Sequence, residues 1–347
     1  MTPMRIAVLF GGTSEERDVS VASAAQIIPA LRAAGHEVVA VDTAKGRLLA
    51  ADERKLLDSG VVPQPPTEKS IANIRAGAVT LNATSIDVRD VDVVFVALHG
   101  GAGEDGRLQA MLDLAGLSFT GSSHIASAAA MDKDLSKRLF RSVEVPTAHW
   151  LMAPVSAGEV TKVLGWPAIV KPNKQGSTVG LALVRRAADL QPAIDRARQF
   201  DDEVMVERFI AGREFTVGIL EDRALPVGEI IAPREVFDYE AKYQPKAARE
   251  IFPAEIPAEE AHRVQDYALR AHRALKLGVY SRVDFRRDSN GEYWCFRSEF
   301  TARDDGDELI ASGGLGGWDQ LLGAPRTHMP GCGESDSPLE AFQLCRL

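Results

Sequence analysis

Cysteine is scarce: three residues in 347, at Cys295, Cys332 and Cys345. So few, with no metal-like spacing, exclude a disulfide framework and a cysteine-built metal site. No apolar run approaches the roughly 20 residues needed to span a membrane. The opening Met1 to Ala7, MTPMRIA, lacks the basic, apolar and cleavage regions of a signal peptide. Nor is there an excess of positive charge. Forty Lys and Arg against 49 Asp and Glu give a net charge of -9, which speaks against a general nucleic-acid binder but leaves room for a local basic pocket. These absences predict a cytoplasmic protein with neither membrane nor nucleic acid as partner. What is present is a 45% hydrophobic, 26% charged chain of ordinary globular composition, long enough for two or three domains.

Arg5 to Phe10, RIAVLF, reads as a buried strand, followed by Gly11-Gly12 and a helix to about Ala34. Strands at Glu37 to Val41 and Val91 to Leu98 complete an α/β unit. The stretch Thr43 to Arg89, with Pro63, Pro65 and Pro66, reads poorly; a short hairpin is expected at Ile71 to Leu81. Then come a helix from Ser127 to Ser142, strands at Pro167 to Pro172, Leu181 to Val184, Glu203 to Phe209 and Glu214 to Leu220, and helices at Ala188 to Phe200 and Glu259 to Leu277. That alternation predicts α+β domains attached to the α/β unit. A hairpin closes the readable part: strand Ser281 to Phe285, turn Asp288-Ser289-Asn290-Gly291, return strand to Phe296. Arg282 and Asp284 lie two apart and so share a face.

Lys171 ends a strand before the loop Asn173 to Gly180, an arrangement in which backbone N–H groups and an ammonium can surround phosphate. A solvated edge lysine beside a flexible loop explains the same residues. Gly11-Gly12 lacks the G-x-G-x-x-G pattern, which sets a nicotinamide dehydrogenase behind. Glu16 and His99 follow strands at the carboxyl edge of the α/β sheet, where ligands bind; His99 is equally readable as a loop residue. Lys242 and Tyr243 lie on a segment that serves either as a lid or as plain surface.

In order and spacing, GGTSEERDVS (Gly11 to Ser20), HGGAGEDGRLQ (His99 to Gln109), TGS (Thr120 to Ser122), MDKDLSK (Met131 to Lys137), VKPNKQGSTVG, ERFIAGREFTVG, FDYEAKY and RVDF resemble the D-alanine–D-alanine ligases. The resemblance covers nearly everything from Arg5 to Tyr293. It implies an ATP-grasp fold: an N-terminal α/β substrate domain over 1–122, a small subdomain over 123–210 and a large one over 211–296, with 297–347 an aberrant, irregular tail. It implies ATP and magnesium (or manganese), D-alanine as substrate, a peptidoglycan role and a homodimer through the N-terminal domain. Residue by residue, it places Glu16 at the first D-alanine's ammonium in a hydrogen-bond group with Ser177 and Tyr243, and His99 in the same pocket. Lys133 and Lys171 match the phosphate ligands, Glu207, Arg208, Phe209 and Ile210 the adenine hinge, and Glu214 the ribose ligand. Lys242 matches the lid lysine of the γ-phosphate, Arg282 the oxyanion stabiliser and Asp284 a metal ligand. Tyr243 is the residue type expected where D-alanine, rather than D-lactate, is second substrate.

The resemblance breaks after RVDF. The family's E-x-N-x-x-P-G-M-T, with two metal ligands and an oxyanion glycine, is replaced by Arg297, Glu299 and Arg303 at the matching positions, and a carboxylate-binding serine by Glu308. Arginine has no acceptor for a metal. Codons permitted for these residues, read one nucleotide along, can spell F-E-V-N-S-Q-P-G-M-T-E-T-S-L over Phe296 to Leu309. The aperiodic Pro/Gly/Ser run from Gly323 to Pro338, and cysteines only from Cys295 onward, agree with a shifted frame near Trp294 to Phe296. Such a chain is expected to be impaired or inactive in dipeptide synthesis. A non-catalytic ATP-binding relative, or a ligase for another amino acid, are the other readings.

Overall fold

The computed structural model describes residues 2–14, 16–58, 90–176, 179–231 and 249–299, with Ser298 and Glu299 described by their backbone alone. Ser177, Lys242, Tyr243, the hairpin expected at Ile71 to Leu81 and the tail from Phe300 lie outside them.

The first unit runs β1 (Arg5–Phe10), α1 (Arg17–Ala33), β2 (Glu37–Asp42), β3 (Gly46–Arg47), α2 (Ala50–Leu57), β4 (Val93–Val96) and α3 (Arg107–Leu114). Its sheet has the order β3-β2-β1-β4, with β1 parallel to both β2 and β4. The apolar run of β1 is buried from Ile6 to Phe10, as a central parallel strand requires. β1 leaves the sheet through Gly11 and Gly12, at φ of 74° and 80°. A Cβ on Gly11 would stand 2.6 Å from Asp42 Oδ1, the carboxylate that Arg17 grips at 2.9 and 2.6 Å. Glycine here lets the turn pass that buried ion pair.

The second unit contains α4 (His124–Met131), α5 (Lys133–Ser142), β5 (Trp150–Met152), α6 (Ala157–Val163), β6 (Ala168–Pro172), β7 (Ala182–Val184), α7 (Leu190–Ala197) and β8 (Val204–Arg208). The sheet order is β5-β8-β6-β7, with every pairing antiparallel. The sequence pattern predicts one helix from Ser127 to Ser142; the chain instead breaks at Asp132, whose backbone is extended at ψ 102°. The Asp132 carboxylate accepts from Leu135 N at 3.0 Å and caps α5, the role a short acid fills better than a helix interior. The break sets Lys133 in the first turn of α5.

The third unit comprises β9 (Arg213–Leu220), β10 (Arg223–Ala224), β11 (Gly228–Ile231), β12 (Arg249–Ile251), α8 (Ala258–Ala274), β13 (Tyr280–Arg287) and β14 (Tyr293–Glu299). The main path of its sheet is β12-β11-β9-β13-β14. Val264, Ala268 and Ala271 recur at helical spacing on α8 and pack with Phe215, Val217, Val283 and Phe285 in one core. Glu259 and Glu260 in the first turn of α8, and His272 and Arg273 in its last, complement the helix dipole.

The hairpin turn forms as its residues suggest. Asp288 Oδ1 accepts from Asn290 N at 2.9 Å and Glu292 N at 3.0 Å, and Gly291 takes a φ of 83°. β14 continues past Phe296 to Glu299. A bulge after Asp284 leaves Phe296 out of the register, so that Cys295 pairs with Phe285 while Arg297 pairs with Asp284 and Glu299 with Arg282.

Candidate active site

Alternation along β13 divides its labour. Val283 and Phe285 enter the core, fully buried, and Arg282, Asp284 and Arg286 take the opposite face. Arg282 holds Asp284 through two hydrogen bonds, Nε to Oδ1 at 3.0 Å and Nη2 to Oδ2 at 3.1 Å; Thr216 Oγ1 donates to Oδ1 at 2.8 Å from β9. Burial opposes ionisation of Asp284, yet the Arg282 charge and these bonds hold its carboxyl below the usual range. Further along the same face, Arg286 donates to Ile210 O at 3.2 Å and to Glu214 at 3.1 Å, and its guanidinium lies 5.4 Å from the Phe209 ring centre. Glu214, Phe209 and Ile210 are thus brought together around Arg286, a residue that sequence reasoning missed although its two-residue spacing from Asp284 gave its face. Arg208 ends β8 with an exposed side chain.

The second unit contributes a buried cluster. Glu207, on β8, accepts from Lys171 on β6 at 2.6 Å through one oxygen and from Lys137 through the other. Burial would raise the Glu207 carboxyl, but the two ammonium groups outweigh it and bring it down to about 2. Sequence reasoning missed Lys137 as well; it lies one helical turn beyond Lys133, and that spacing was the available signal. Its ammonium also donates to Thr147 Oγ1 at 2.6 Å, which donates to Cys295 O at 2.7 Å, so β14 is tied to the lysine cluster. Burial pushes the Cys295 thiol up, which makes it inert packing rather than a nucleophile.

Lys133 reaches the loop after β6 instead, donating to Asn173 O at 2.9 Å and Gln175 O at 2.6 Å. Burial, with Lys171 and Arg297 nearby, lowers its amine well below the lysine range. The same loop meets the first unit at Gly176. Around the point a Cβ on Gly176 would occupy, Glu16 Oε2 and Arg297 Nη2 both lie at 3.3 Å and Glu104 Oε2 at 4.0 Å. Glu104 is a second acid at this junction, within HGGAGEDGRLQ, that the motif alone did not single out. Gly100, at φ 67°, packs against Glu16: a Cβ there would fall 2.5 Å from Glu16 Oε2. His99 Nε2 pairs with Ser23 Oγ at 2.9 Å, and its carbonyl accepts from Ser14 Oγ at 2.7 Å. Of the residues singled out from sequence, Glu16, Lys133 and Arg297 therefore converge on the loop 173–176. Glu207 and Lys171 form the neighbouring cluster, and Glu214 sits with Arg286.

A divalent cation fits poorly beside Asp284. Arg297, which can donate but never ligate, stands across from it in register, and among the described residues no three His, Cys, Asp or Glu side chains gather into a metal-holding group.

A parallel α/β unit followed by two antiparallel α+β units, with lysines of the second and the open sheet face of the third lining one site, is the ATP-grasp architecture. Residues 5–122 match the family model for the D-ala D-ala ligase N-terminus, and residues 139–297 match that for the D-ala D-ala ligase C-terminus. The D-alanine–D-alanine ligase of Halalkalibacterium halodurans is 38% identical over 297 residues, covering 83% of this chain and 85% of that one. That of Geobacter sulfurreducens is 37% identical over 293 residues, covering 83% and 81%. Among solved structures, the VanG D-Ala:D-Ser ligase from Enterococcus faecalis superposes with a TM-score of 0.70 at 27% identity, covering 87% of this chain and 91% of that one. The Bacillus anthracis D-alanine–D-alanine ligase complexed with ATP gives 0.69 at 28%, covering 91% and 93%. The chain belongs to the D-alanine–D-alanine ligase family, whose members are ATP-dependent ligases.

Proposed function

We propose that the chain derives from an enzyme that joins two D-alanine molecules at the expense of ATP, and that the 347-residue polypeptide keeps the nucleotide groove but has lost the joining step. In the ancestral reaction a carboxylate oxygen of the first D-alanine attacks the γ-phosphorus and ADP leaves. The amine of the second then attacks the acyl phosphate carbon, and phosphate leaves with the bonding pair while the amine gives up its proton. Such chemistry depends on positioning and charge neutralisation more than on a protein nucleophile.

Residues 1–122 would hold the first D-alanine, with Glu16 on its ammonium near His99; Ser177 and Tyr243 would complete that group. Lys133 and Lys171 would meet phosphate oxygens, each leaving a present partner, and Lys242 the γ-phosphate. Glu207 to Ile210 would bound the adenine through backbone, since the Glu207 carboxylate is engaged by two lysines. Glu214 would turn from Arg286 to the ribose, and Arg282 would face the oxyanion. Asp284 would be the remaining member of a magnesium site that Arg297 disables, so no step is routed through the metal. The peptidoglycan role and cytoplasmic setting follow the family; no helix among the described residues is long and apolar enough to cross a membrane. A homodimer through residues 1–122 is the expected assembly.

The observation that carries this reading is Arg297 paired across from Asp284, at the residue where the C-terminal family match also ends. A shift of frame between Trp294 and Phe296 accounts for both. The test is ADP release with D-alanine, ATP and magnesium. The expected result is release no faster with D-alanine than without it; turnover comparable to an intact family member would overturn the proposal.

A further inference from the structure

Arg297 adds a charge as well as removing a ligand. Its guanidinium, half-buried, extends from β14 to Gly176, while Lys133 grips the same loop from α5 through Asn173 O and Gln175 O. Arg282 lies on the same sheet face beside Asp284. Arg297 and Lys133, from two units, therefore meet at one loop beside the Glu16 and Glu104 carboxylates, with Arg282 held by Asp284. Burial first, then repulsion from Lys171 and Arg297, depresses the Lys133 amine. A polyanion relieves that repulsion, whereas a divalent cation adds to it. Guanidinium groups also meet phosphate oxygens with two parallel N–H donors and carry their charge at any working pH. Resting on the reading of this groove as a nucleotide site, we propose that the chain binds a nucleoside triphosphate as the metal-free anion, Arg297 standing beside Asp284 where a divalent cation would otherwise be required.

Calorimetric titration of ATP into the 347-residue chain, once in EDTA and once in excess magnesium, tests this. The expected dissociation constant in EDTA equals that in magnesium within about threefold or is tighter. Arg297→Glu is expected to weaken binding in EDTA by about a hundredfold and to regain at least about tenfold on adding magnesium. Arg297→Gln, which keeps a polar strand residue of similar reach, falls between the two in EDTA and guards against a folding defect in the charge reversal. Wild-type binding tighter in magnesium by about tenfold or more overturns the inference, as does EDTA binding indifferent to both substitutions. Absence of ATP binding in either condition overturns it together with the nucleotide reading. D-alanine-dependent ADP release, measured separately, bears only on the loss of synthesis.

Discussion

The two strands of the hairpin behave differently although they share one ladder. On β13 each arginine has an acidic partner: Arg282 with Asp284, Arg286 with Glu214, Arg287 with Glu260. β14 begins as well integrated: Tyr293 is buried and donates to Glu260 at 2.9 Å, Trp294 Nε1 donates to Asp288 at 3.0 Å, and Cys295 is enclosed. Two residues later the backbone still pairs, but it presents an arginine to Asp284. Strand pairing is made by main-chain groups and tolerates almost any side chain; a site built on the same strand does not. A fold can therefore persist past the last residue that suits the site proposed on it.

The largest contrast between the strands lies in stability. Phe285→Ala on β13 empties a fully buried position and is expected to cost about 3–5 kcal/mol, while Arg297→Ala on β14 is expected to stay within about 1 kcal/mol. Urea denaturation of both variants measures the gap, and equal losses would mean that the Arg297 side chain holds β14 in place as firmly as Phe285 holds β13. Glu260, shared by Arg287 of β13 and Tyr293 of β14, sharpens the comparison from the other side. Glu260→Gln is expected to cost about 2 kcal/mol in the same assay, because the early part of β14 is held by a charged acceptor.

A third effect is in acid. Glu207 has its folded pKa depressed from 4.5 to about 2, so its stabilising contribution is present above about pH 4.5 and is lost as pH falls toward 2. Through Lys137 and Thr147 that cluster reaches Cys295. Urea midpoints between those pH values should fall more steeply for the wild type than for Glu207→Gln; parallel profiles would detach the lysine cluster from the stability of the chain.

Most of this architecture was legible from the residues. The apolar runs of β1, β6 and β8 and the Asp288 to Gly291 turn carry their own signals, buried periodicity and turn chemistry. Glu16, Lys133, Lys171, Arg282 and Asp284 stood out because charged groups follow or occupy buried strands, or fall within the family's motifs. The break at Asp132 did not, since an aspartate that caps and one that merely faces solvent look alike in sequence. Lys137 and Glu104 were hidden for a similar reason: their importance comes from partners 70 or more residues away, Glu207 and the loop at Gly176. The mismatch at Arg297 was visible in sequence, but its position opposite Asp284 depends on a bulge that no local pattern announced.

The loss of the metal position turns on the origin of that arginine. Sequencing the DNA across codons 290 to 300 and onward through codon 309 tests it most directly. The expected result is a run that, read one nucleotide along, contains GAA-GTG-AAT or a synonymous triplet set and continues open through Pro-Gly-Met-Thr. A sequence whose shifted frame is interrupted, or encodes no such run, would contradict the account and make Arg297 a residue the gene specifies.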